Sequence, residues 1–348
     1  MWGVGLRSWV ALCCCTASAV LNDCDMACLR GLALVPLTLR AMASPSTNTI
    51  AFDPTLWPSG TLWQPRASLS ACVRASMVRN TLGANHTDAQ RVNHFPATPL
   101  CSLNWWFSGS SMCLTVPPGA AAEGAMGAMG ERTPMPGRWV LAGPQTRPAS
   151  SWCPGPAHAM MVLIMPDALH ALTGLQVGDL IDRFVDASAV LPPDWLAMCE
   201  QVQDAPDDAQ RLQVLEEFLE PRWQQCRPNQ PMVQQRYSDW VAHLALRAAV
   251  SAPGRSLRQL ERRIKQWSGL PLRELRVMGR SEEAFFATAA LATQSTAKLD
   301  WAQIAADTGY SDQSHMIRTT RRITGFTPEA LGKGIQLQES FWAYRLWM

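Results

Sequence analysis

The chain has 348 residues, room for two or three domains; 47% is apolar and 17% charged, which supports a large core and excludes disorder throughout. Thirty Lys and Arg against 28 Asp and Glu leave a net charge of +2, excluding a uniformly basic coat or an acidic tail. From Ser251 onward, however, 14 basic and 9 acidic residues give +5, against −3 before it, a skew that points weakly to a polyanionic partner.

Taken in order, the chain has Arg7 ahead of the apolar run Trp9–Val20, which includes small residues at Ala17-Ser18-Ala19. Alone this resembles a mediocre signal peptide. Met42 opens a plausible chain of its own, so residues 1–45 are expected to be a disordered leader or an extension from too early a start. No run reaches the roughly 18 apolar residues of a membrane helix, and no membrane partner is expected. The eleven cysteines are odd in number and spread from Cys13 to Cys226, which does not form a disulfide framework. Cys24 and Cys28 have a metal-like gap, but no second pair follows. Reduced thiols are expected, with no metal and no cofactor.

From 46 to 232 a β-containing part precedes a helical part. Leu100–Val116 predicts a hairpin about a Ser-Gly turn, and Pro117–Gly130, where Gly124-Ala-Met recurs at Gly127, reads as a loop. Arg138–Ala142 and His158–Met165 read as short strands. Pro166 opens a helix that carries Ala168, Leu169, Leu172 and Leu175 on one side. Leu180–Phe184, Trp195–Val202 and Asp207–Trp223 continue as helices, the last with Leu212, Leu215, Phe218 and Leu219 on one face. Trp105, Trp106 and Phe107 are expected to be core rather than the wall of a small-molecule pocket. His86, His94, His158, His170 and His243 are scattered, without the HxH or HExxH spacing of a metal site. No catalytic constellation is visible, so the chain is not expected to be an enzyme.

The C-terminal third is more informative. In Leu299–Pro328, Trp301, Ile304 and Ala305 form the apolar edge of a short helix. Thr308-Gly309-Tyr310 ends it, Gly309 suiting a positive φ, and Ser311 or Asp312 can cap the next helix. In that second helix Met316, Thr320 and Ile323 fall toward a core, and Gln313, Ser314, Ile317, Arg318 and Arg321 fall on the opposite face. This is a helix-turn-helix. Fifty-six residues earlier the pattern recurs: Ser256–Gly269 aligns with Asp312–Gly325, with Arg262 matching Arg318 and Lys265 matching Arg321. Leu244–Val250 supplies its supporting helix, Ala252-Pro253-Gly254 its turn, and Leu257, Arg258, Glu261, Arg262 and Lys265 its outward face. Arg273–Ala292 reads as a long connecting helix that buries Leu275, Met278, Phe285 and Ala289.

The tandem units, the connecting helix, and above all Ala305–Pro328 (AxxxGYSDQSHxxR…GFTP) resemble the DNA-binding domain of AraC/XylS-type bacterial transcription regulators over residues 238–335. The family usually has an aromatic where Thr320 stands, so Thr319-Thr320 is less apolar than its pattern. The resemblance implies a cytoplasmic, sequence-specific regulator whose two recognition helices enter adjacent major grooves. It places base contacts at Arg258, Glu261 and Arg262 in the first unit, and at Gln313, Ser314, Ile317 and Arg318 in the second. Arginine suits guanine, glutamine adenine, a glutamate the cytosine amine and an isoleucine the thymine methyl. Arg263, Lys265, His315, Arg321 and Arg322 are assigned to phosphate.

The expected fold is α+β: a leader (1–45), an effector-sensing or self-association domain (46–232), an all-α DNA-binding domain (238–335) and an aromatic-rich tail (336–348). The tail, with Phe341, Trp342, Tyr344 and Trp347, either folds back or makes a subunit contact. Expected partners are double-stranded operator DNA, a small-molecule effector, a second copy of the chain and, for an activator, RNA polymerase. The alternative is an enzyme with a catalytic N-terminal half tethered to a DNA-locating domain.

Overall fold

The computed structural model describes residues 60–115, 130–227, 236–251, 256–294 and 299–348. The leader 1–45, all but the last residue of the Pro117–Gly130 loop, and the turn Ala252-Pro253-Gly254 lie outside the described residues. Ten strands are described: β1 (Gly60–Trp63), β2 (Val73–Asn80), β3 (Val92–Phe95), β4 (Cys101–Ser108), β5 (Met112–Leu114), β6 (Arg132–Pro134), β7 (Trp139–Ala142), β8 (Ala149–Trp152), β9 (His158–Ile164) and β10 (Phe184–Asp186). They form an antiparallel six-stranded sheet, ordered β1-β2-β9-β4-β7-β10, and a four-stranded one, β3-β8-β5-β6.

The larger sheet is covered on both faces, which is why β2 is buried almost throughout rather than at alternate positions. One face, with Val78, Leu103, Trp105, Leu141 and Val162, packs against α1 (Pro166–Thr173), α2 (Pro193–Asp204) and α3 (Asp208–Cys226). The other, with Leu62, Ala75 and Met77, meets Trp342 and Ala343 of the tail.

Two expectations are corrected. Leu100–Val116 is not a hairpin. β4 is flanked on both sides by β9 and β7, so β5 has no free edge there and pairs with β6 and β8 in the other sheet. The chain changes sheet at Gly109, whose φ of 73° would be strained for any other residue. Leu180–Phe184 is not a helix either. A 3-10 turn, Val177–Leu180, leads into β10, which pairs with β7. Asp182 takes a positive φ between them and accepts from Thr146 through its backbone amide (2.6 Å) and hydroxyl (2.5 Å). A long-range tie thus overrides local helix preference.

The helical half continues with α4 (Tyr237–Val250), α5 (Leu257–Ser268), α6 (Leu272–Gln294), α7 (Trp301–Asp307), α8 (Gln313–Thr324), α9 (Pro328–Leu337) and α10 (Trp342–Arg345). All described residues fall within one compact unit, residues 44–348. Its two halves are pinned together at named points. Asp167 in the first turn of α1 accepts from Trp240 Nε1 (2.9 Å) and pairs with Arg247 (2.5 Å), both on α4. Arg74 of β2 pairs with Glu282 of α6 (3.1 Å), which also accepts from the Tyr237 amide (2.6 Å). The Ala97 amide donates to the Ile323 carbonyl near the end of α8 (2.7 Å). The tail folds back: Phe341, Trp342 and Tyr344 are buried between the sheets and α9.

His94 of β3 lies at this junction, its ring 5.1 Å from Phe326 and 5.0 Å from Phe341, with Nδ1 3.0 Å from the Ser150 hydroxyl. Burial pushes its pKa down to about 4. The unfolded chain therefore takes up a proton that the folded one resists, and stability falls as pH drops from about 6.5 to 4, by at most about 3 kcal/mol. Urea unfolding across that range should show His94→Gln losing less stability than the parent chain; parallel losses would refute the assignment.

Candidate nucleic-acid interface

The second helix-turn-helix forms for local reasons. Asp300 starts α7 by accepting from the Ala302 (3.0 Å) and Gln303 (3.1 Å) amides. Gly309 takes the turn at φ 75°. Of the two candidate caps for α8, Asp312 serves, accepting from the His315 amide at 2.7 Å. Hydrogen bonding by that amide and by Ser311 holds its carboxyl below the usual range. Ile304, Ala305, Tyr310 and Met316 then close a small core with Ala284 of α6. In the first unit Ile264 is fully buried among Trp240, Leu244, Leu275 and Met278, with Leu260 beside it. Gly279 of α6 lies where α4 crosses: an added Cβ would stand 3.4 Å from the Ser238 backbone nitrogen.

The internal repeat extends to individual atoms. Ser268, at the end of α5, donates to the Ile264 carbonyl (2.8 Å), contacts the Leu270 carbonyl (3.0 Å) and accepts from the Leu270 amide (3.3 Å). Thr324, 56 positions later, makes the same three contacts with Thr320 (2.8 Å) and with the carbonyl and amide of Phe326 (both 3.1 Å). Gly269 and Gly325 follow with φ of 77° and 85°. Both α5 and α8 thus end in the same clasp, a likeness visible in the sequence only as Ser-Gly aligned with Thr-Gly.

On α5, Leu257, Arg258, Glu261, Arg262 and Lys265 are all exposed. On α8, Gln313, Ser314, Arg318 and Arg321 are exposed, His315 and Ile317 half-buried, and Met316, Thr320 and Ile323 buried. Four of the assigned side chains also have partners within the protein, and His315 Nδ1 lies 3.0 Å from the Ser311 hydroxyl. Glu261 accepts from the Leu272 amide at the start of α6 (3.3 Å). Arg263 donates to the carbonyl (3.0 Å) and hydroxyl of Ser251 and lies over the Trp267 ring. Arg322 pairs with Glu274 of α6 (2.8 Å).

A family model described as a helix-turn-helix domain matches residues 250–334. The chain carries an AraC-type helix-turn-helix domain. A β-rich N-terminal region lies ahead of it. No curated protein matches the chain. Among solved structures it is distantly similar to ToxT from Vibrio cholerae in its P21 form, at 11% identity and a TM-score of 0.29, over 68% of this chain and 94% of that one. Similar values hold for ToxT from strain O395 (11%, 0.29, 69% and 92%) and for ToxT bound to an unsaturated fatty acid (12%, 0.30, 68% and 92%). Among the described residues, no helix is long and apolar enough to cross a membrane.

The described residues also enclose two adjoining cavities, of about 310 and 380 Å³. The first lies between the two sheets, walled by residues such as Met160, Trp106 and Phe184, with Arg79, His86 and Arg91 also on its lining. Trp105 and Trp106 border it, while Phe107 packs instead against His158 and under Arg211. Trp105 is therefore both core and pocket wall. The second cavity lies between the larger sheet and the second unit, lined by α6, by Met316, Thr320 and Ile323 of α8, and by Tyr344 of the tail. Met77, Phe95, Pro96, Thr98, Met161 and Leu163 line both. Arg79 and Glu339 escape sequence reasoning, since neither belongs to a motif; only the aromatic tail gave a signal.

Proposed function

We propose that the protein reads a specific operator by placing α5 and α8 in successive major grooves, and that a small effector entering the cavity between the sheets changes how the two units are held. The supporting observation is that two recognition helices with matching ends each turn an exposed basic face away from the core. Arg258, Glu261, Arg262, Gln313, Ser314, Ile317 and Arg318 are the proposed base readers, and Arg263, Lys265, His315, Arg321 and Arg322 the proposed phosphate contacts. Arg258, Arg262, Arg318, Lys265 and Arg321 lead these sets, because Glu261, Arg263 and Arg322 also serve the protein's own helices. Residues 46–232 are the proposed sensing and association half, and 238–335 the DNA-binding half.

Footprinting of the full chain on genomic DNA should yield a bipartite site. On that site Arg318→Ala should cost about 1–3 kcal/mol and relax specificity at one base pair, while Arg321→Ala should weaken matched and mismatched sites alike. Gel shifts on both site types check this, and identical behaviour of the two variants would overturn the division of roles.

A further inference from the structure

The groove between α4, α5 and α6 carries a charge pattern that the protein's own packing does not explain. Arg273, Arg276 and Arg280 line it from α6, with Glu261 of α5 on the same groove and Glu283 beyond Arg280. Spacings of three and four residues put the arginines in one row, about 10 Å long, on the side of α6 opposite the buried Leu275 and Met278. Like charges at these spacings destabilise a helix, so the row costs stability unless something outside the chain neutralises it.

Neutralisation from within is slight. The Arg273 side chain is 87% exposed and lies 3.8 Å from Glu274, whose other oxygen is paired with Arg322 at 2.8 Å. Arg276 is exposed and, among the described residues, has no hydrogen-bond or ion-pair partner. Arg280 donates from Nη1 to the Gly309 carbonyl (3.3 Å) and lies over the Tyr310 ring, while its Nε is buried without a partner. Of the two carboxylates on the groove, Glu261 is turned to the Leu272 amide. The ends of the row meet the two units. Glu261 belongs to the exposed face of α5, beside Arg258 and Arg262, and touches the first residue of α6. Gly309 is the turn ahead of α8. The row thus continues the basic face of α5 toward the start of α8.

We propose that Arg273, Arg276 and Arg280 form a third DNA contact, holding phosphates on the two strands that border the minor groove between α5 and α8. This rests on the operator reading above and adds a contact that neither helix-turn-helix makes. Two helices in successive major grooves leave one minor groove, roughly 6 Å wide, facing the segment that joins them. The row is long enough to reach both rims of that groove, and a guanidinium fork fits two phosphate oxygens. Phosphate supplies the charge that the protein leaves open, and the contact carries no base information.

The test uses the full chain on the bipartite site found by footprinting. Arg276→Ala, Arg273→Ala combined with Arg276→Ala, and Arg276→Lys are compared with the parent and with Arg147→Ala, a control at an exposed position in the β-half. Affinity is measured across a range of salt, and phosphate ethylation interference is mapped on both strands. Each arginine removed should lower the slope of log affinity against log salt by about one and weaken binding several-fold at low salt, whatever the central base pairs. Arg276→Lys should keep most of the parent's affinity, and Arg147→Ala should change neither quantity. Interference at the central phosphates should vanish in the double variant while that over the two half-sites persists. Arg273 and Arg276 point outward, so these variants should unfold at the parent's temperature, which a thermal scan verifies. A slope and an interference map unmoved by the double substitution overturn the row and leave the operator reading standing. A loss that depends on the identity of the central base pairs overturns the phosphate assignment. The absence of any bipartite footprint overturns the operator reading, and the row with it.

Discussion

Asp167→Ala is expected to destabilise the protein by about 3–5 kcal/mol, the usual cost of removing one partner from a buried ion pair. Asp167 is 6% exposed, and its two oxygens are divided between Trp240 Nε1 and Arg247. Trp240 is fully buried, so its N–H would be left without an acceptor, and Arg247 would lose its counter-ion. The aspartate also sits in the first turn of α1, where the helix dipole favours negative charge. Asp167→Asn keeps an oxygen for Trp240 but no charge for Arg247, so it should cost less, about 1–3 kcal/mol. Urea unfolding of the full chain gives both values; a loss under about 1 kcal/mol for the alanine variant would contradict the buried-pair argument. Because α4 supports α5, operator affinity should fall with stability in both variants.

Trp342→Ala should cost a similar amount, about 3–5 kcal/mol, as for other large-to-small changes at buried aromatics. The ring is 5% exposed, faces Arg79, meets Phe95 edge-on at 6.1 Å and approaches Gly60, where an added Cβ would lie 3.3 Å away. Trp342→Phe separates packing from polarity. It keeps most of the contact but leaves Asn93 without its 2.8 Å donor, and should cost about 1–3 kcal/mol. Thermal unfolding compared across the pair is the measurement. Equal losses would mean that the hydrogen bond, not the ring's volume, holds the tail.

The helical half with the tandem helix-turn-helix was largely legible in the sequence because its signals are local. Helical period sorted Met316 and Ile323 from Arg318 and Arg321, an aspartate capped α8, and a glycine made its turn. The 56-residue repeat doubled each signal. The β-half was less legible. Strand existence could be read at His158–Met165 and Arg138–Ala142, but pairing could not, because each strand's partners lie far along the chain. That is why Cys101–Ser108 and Met112–Leu114 looked like neighbours and belong to different sheets.

By itself, the sequence determined the α+β order, the paired helix-turn-helix units and the residues on their outer faces, since capping, turning and helical period act within a dozen residues. Only the tertiary structure decided where the tail goes, which wall of the cavity is charged, and how the halves are joined. Those outcomes depend on Arg79 meeting Glu339 and Asp167 meeting Trp240, encounters that no short-range pattern encodes and that burial of charge and apolar area selects.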